Sequence, residues 1–72
     1  MATASRKYTA VMRHEDEWYV AECPEVGTAS QGRTVEEALA NLQEATEAFL
    51  EEFPATEEHP VVLATFEIRM DA

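Results

Sequence analysis

The sequence predicts a single α+β domain of order β-β-β-α-β, with one long helix lying on one face of a sheet. Three observations carry this reading. Apolar and polar residues alternate between residues 8 and 31 in short runs separated by turn signals. A capping box at Thr34 opens an apolar stripe at helical spacing. A last apolar run, residues 61–70, returns to alternation.

Residues 1–6 are small and polar and are expected to fray. In the first strand, residues 8–12, Tyr8, Ala10 and Met12 face one way and Thr9, Val11 and Arg13 the other. His14-Glu15-Asp16-Glu17 has the polarity and length of a hairpin loop. The second strand, residues 18–23, is rich in aromatic and β-branched residues. Pro24 cannot donate to a ladder, so it ends that strand or marks an edge. Pro24-Glu25-Val26-Gly27 reads as a turn, residues 28–31 as a short third strand, and Gly32 closes that strand.

Thr34 at the N-cap with Glu37 three residues on forms the capping box, and Glu36 and Glu37 sit at the positive end of the helix dipole. Val35, Ala38, Leu39, Leu42, Ala45, Thr46, Phe49, Leu50 and Phe53 make one stripe facing a core. Pro54 stops the helix at Phe53. Such a helix is about 27 Å long. Residues 55–60 form a polar connector to the last strand, residues 61–70. A right-handed crossover through the helix places that strand parallel to, and beside, the first. Its first half is apolar on both faces, so it needs two coverings. The helix supplies one. A second chain is expected over Val61, Val62, Leu63 and Phe66 for the other.

Seventy-two residues make one domain, 1–72, with a small core. Domains of this size often need a staple, and a single cysteine, Cys23, excludes an intrachain disulfide. A homo-oligomer is the expected support. Fifteen acidic residues against five basic ones give a net charge of -10. That charge repels a phosphate backbone and an anionic membrane and attracts basic proteins. It equally serves solubility alone. No run approaches a membrane span or a signal-peptide core, and the lone thiol fits a reducing cytoplasm.

Candidate chemistry is sparse. The His14–Glu17 run lacks the glycine and spacing of a calcium loop. One cysteine with distant His14 and His59 does not make a zinc site, so no metal or cofactor is expected. The strand order is that of a ribonuclease H-like core, whose nucleases hold two ions between strand carboxylates. The first strand carries no Asp or Glu; only Glu22 and Glu67 are strand acids. Catalysis is therefore not expected. Trp18 and Tyr19 are adjacent on a strand and point to opposite faces, so one can be core while the other anchors an interface.

Trp18-Tyr19-Val20-Ala21-Glu22, Cys23-Pro24-Glu25-Val26-Gly27, Ser30-Gln31-Gly32 and Thr34-Val35-Glu36-Glu37-Ala38-Leu39-Ala40-Asn41-Leu42 together resemble the HicB-like antitoxins of bacterial toxin–antitoxin systems. The stretch from Ser30 to Leu42 is similar to that family's S-Q-G-x-T-x-x-E-A-L pattern. The turn departs from it, with a single proline where the family often has Pro-Glu-Leu-Pro-Gly. The resemblance implies a degraded ribonuclease H-like fold without catalysis and a small basic HicA-type ribonuclease as partner. With it, Trp18, Tyr19, Glu22, Glu25 and Gln31 become the candidate partner-binding residues. A DNA-binding module, which many members add after this domain, is not expected in 72 residues. The alternative is the same scaffold as a homo-oligomer with no toxin partner.

Overall fold

The computed structural model describes residues 5–54 and 61–71. It shows a three-stranded antiparallel sheet followed by one long helix. Strands β1 (Val11–Glu15), β2 (Trp18–Cys23) and β3 (Thr28–Gly32) lie side by side in that order, and α1 spans Val35–Glu52. The expected frayed end and the polar connector, with His59, lie largely outside the described residues.

The β1–β2 hairpin is tighter than its polar sequence suggests. Glu15 pairs with Trp18, leaving a two-residue turn at Asp16 and Glu17. Asp16 sits at φ 56°, a left-handed conformation that Asp tolerates better than most residues. His14 and Glu15, expected in a loop, therefore belong to the strand. At the other end, Val11 pairs with Glu22, and the chain of β2 leaves the ladder at Pro24. β1 thus starts at Val11 rather than at Tyr8. Tyr8 and Ala10 still pack against the core from outside the ladder.

The register sorts the sheet into two faces. Met12, Tyr19, Ala21 and Cys23 face the helix, and Ala21, Cys23, Ala38 and Leu42 are the buried apolar centre. Thr28 and the buried Thr46 close it with a hydroxyl–hydroxyl bond of 2.7 Å between β3 and α1. The helix starts as its sequence requires: Thr34 Oγ1 accepts from the Glu37 amide at 3.0 Å. Glu36 and Glu37 lie in the first turn, and Phe53 caps the end one residue before Pro54. Gly32 is where helix and sheet approach most closely. A Cβ there would lie 2.5 Å from the Ala38 amide nitrogen. The apolar stripe is wider than the buried strip, for Val35, Leu39, Phe49 and Phe53 stay exposed.

α1 packs on β3 and, less, on β2, and it barely meets β1. Beside β1, where a fourth strand was expected, residues 61–70 are absent. They form no strand in the described structure, and Val62, Leu63, Phe66, Ile68 and Met70 are exposed. Alternation sets which side chains share a face, but a strand exists only where a neighbour accepts its backbone hydrogen bonds. That neighbour is missing here.

Candidate protein-binding faces

The sheet face away from the helix is the first candidate surface. Alternation and register place Trp18, Val20 and Glu22 of β2 there, with Val11, Arg13 and Glu15 of β1 and Ala29 and Gln31 of β3. Three of the five candidate residues, Trp18, Glu22 and Gln31, therefore share one face. Tyr19 points to the other side, packs against the core and stacks on His14 at 4.3 Å between ring centres. Glu25 sits in the β2–β3 turn.

Charges are paired across this outer face. Arg13 Nη1 donates to Glu22 Oε1 at 2.9 Å, and Arg13 Nη2 lies 3.2 Å from Glu15 Oε2. Glu22, then Glu15, raise the guanidinium's pKa further above its ordinary value. Arg33 lies over the Trp18 ring, 4.7 Å from its centre, and 4.0 Å from Glu17. Trp18 is half-buried as a result, and exposed pairs of this kind add little to stability. They do fix where charge is presented. Sequence reasoning missed Arg13 and Arg33. Opposite charges two positions apart on neighbouring strands would have flagged Arg13; nothing in the spacing flags Arg33.

Glu25 is occupied within the chain. Its carboxylate accepts from the Thr9 amide at 2.9 Å, the Thr9 hydroxyl at 2.7 Å and the Cys23 thiol at 3.5 Å. The Thr9 bonds hold the Glu25 carboxyl below the usual carboxylate range. The carboxylate ties the segment leading into β1 to the β2–β3 turn. Burial pushes the Cys23 thiol up, so it is not an activated nucleophile. Gln31 is exposed, and its carbonyl accepts from Asn41 Nδ2 at 2.8 Å, joining β3 to α1.

A second surface lies on the helix side. An open groove of about 510 Å³ runs between the segment leading into β1 and α1, lined by Tyr8, Thr9, Ala10, Leu39, Leu42 and Leu50 among others. Among the described residues no group of three His, Cys, Asp or Glu could hold a metal ion. No described helix is long and apolar enough to cross a membrane.

A three-stranded meander closed by one helix, with an acidic surface, is thus the class of the molecule. The chain belongs to DUF7387, a family of unknown function whose profile matches residues 1–71. It is also 43% identical over 47 residues to a UPF0150 protein of Thermoplasma acidophilum, covering 62% of this chain and 68% of that protein. No solved structure matches it.

Proposed function

We propose that this chain is a HicB-like antitoxin module that binds and occludes a small basic HicA-type ribonuclease. The observation that carries the reading is the outer sheet face. No described element covers it, and it carries Trp18 among Glu15, Glu22 and Gln31 on a chain of net charge -10. An aromatic on an acidic chain suits a basic protein, the ring filling a pocket once Arg33 swings off it and the net negative charge steering the approach. The stretch from Ser30 to Leu42 supports the family assignment. Its Gly32, Thr34, Ala38 and Leu42 are the strand–helix contact, the cap and the core of this fold. The fold then acts as a degraded ribonuclease H-like scaffold that blocks rather than cleaves.

The test is co-expression with a basic protein of 60 to about 80 residues encoded beside it, a size that fits one small domain. A stable complex and suppressed RNA cleavage are expected, and Trp18→Ala should weaken both. Absence of any complex at micromolar concentration would refute the proposal. A second reading, a homo-oligomer without a toxin, is favoured by the exposed apolar run at residues 61–70. It predicts a defined oligomer and no basic neighbour.

A further inference from the structure

Residues 61–70 and the groove beside β1 are complementary in pattern. On an extended chain, Val62, Ala64, Phe66, Ile68 and Met70 share one face, and that face has no charged residue. Val61, Leu63, Thr65, Glu67 and Arg69 share the other. Val62, Phe66, Ile68 and Met70 are 87%, 83%, 69% and 82% exposed. Single exposed apolar residues are ordinary, but four on one face form a patch that marks an interface.

The body of the molecule lacks what this segment carries. Its buried apolar centre is two alanines, one cysteine and one leucine. Among the described residues β1 is an edge strand with nothing paired on its outer side, and the groove opens between the segment leading into β1 and α1, its apolar lining flanked by Arg6 and Glu47. An open edge beside an apolar wall is a seat for an added strand. Ten extended residues span about 33 Å, enough to run the full length of β1 and the segment before it.

We propose that the occupant is the same segment of a second copy, so that two chains exchange their 61–70 arms. Three arguments favour a second copy. The arm stands clear of the body: the chain's long axis is 59 Å and its radius of gyration 15.2 Å, against about 11 Å for a compact chain of this length. Arm and groove occur on every chain, so two copies satisfy each other twice under one two-fold axis. Burying Val62, Phe66, Ile68 and Met70 at roughly 100 Å² each, with an equal area of groove, gives about 1,600 Å² for two arms, the size of a stable interface. A basic partner finds no charge to pair with on the uncharged face of this arm. The proposal is independent of the toxin reading, which uses the outer face of the sheet.

The experiment uses the full chain. Light scattering should give about 16 kDa, twice the 8.1 kDa chain. Next, a Leu39→Cys chain is unfolded, refolded together with a Phe66→Cys, Ile68→Cys or Met70→Cys chain, and oxidised. Leu39 is exposed on the groove wall, and because Cys23 also lines the groove, both chains carry Cys23→Ala. At least one of the three mixtures should form a disulfide between the two different chains. Phe66→Asp should weaken dimerisation at least about tenfold while keeping the helical circular dichroism. Should that variant fail to fold, the disulfide result decides alone. A monomer, or a dimer with no arm-to-groove disulfide in any mixture, overturns the proposal. So does a chain carrying both Leu39→Cys and Phe66→Cys whose disulfide closes only within that one chain.

Discussion

Two side chains show how single atoms hold this fold. Glu25 accepts three bonds from Thr9 and Cys23, and its carboxyl lies below the ordinary Glu range because the Thr9 groups stabilise the charged form. A group whose folded pKa is depressed adds stability above its unfolded value of about 4.3. That contribution is lost as pH falls from there through the lower folded value. Glu25→Gln should therefore lower the melting temperature at pH 7 and flatten the acid limb of a stability–pH curve. A curve parallel to that of the parent chain would mean Glu25 plays no such part. Gly32 works by the absence of a side chain. Its missing Cβ lets Ala38 and Glu37 backbone atoms come within 2.5 and 2.8 Å of where that atom would be. Neither is the end of a flexible side chain, so Gly32→Ala must push α1 off the sheet. Overpacking costs typically 1 to about 3 kcal/mol. In a domain this small that is a large share of the total, and a lower urea midpoint is the expected readout.

At the scale of elements, the helix and the second strand were legible because each is bounded by residues that leave no alternative. Thr34 with Glu37 opens α1 and Pro54 closes it; Trp18 follows the turn and Pro24 ends β2. Thr34→Ala should cost about 1 kcal/mol, read as a lower denaturation midpoint with unchanged helix content below the transition. β1 was harder. His14 and Glu15 look like loop, yet on an edge strand with one face in water polar residues pair as well as apolar ones. The reverse held at residues 61–70, where strong alternation met no partner. Hydropathy reports which face a residue prefers, and pairing is a property of two segments. The candidate site follows the same rule. The opposition of Trp18 and Tyr19 was legible from strand parity alone. The Arg13–Glu22 pair needed the β1–β2 register, and Arg33 over Trp18 needed the path of the chain between β3 and α1.

At the scale of the whole molecule, charge and the outer sheet face separate two contributions to the proposed partner binding. A net charge of -10 acts at a distance, before contact. Trp18 acts only after docking, when its ring leaves water. Salt shortens the reach of the field, from about 10 Å at 0.1 M to about 3 Å at 1 M. Raising salt across that range should slow association with a basic partner by tenfold or more, with dissociation little changed. Trp18→Ala should do the reverse, speeding dissociation with association nearly intact. Glu22→Gln belongs between them, because it removes one long-range charge and also leaves Arg13 with Glu15 as its one remaining carboxylate on the docking face. It should slow association and weaken the complex more than removal of a helix glutamate such as Glu44, which has no partner among the described residues. Stopped-flow mixing of the three variants at two salt concentrations checks all of this. Equal salt dependence for Glu22→Gln and Glu44→Gln, with equal affinities, would show that the partner meets some other surface than the outer face of the sheet.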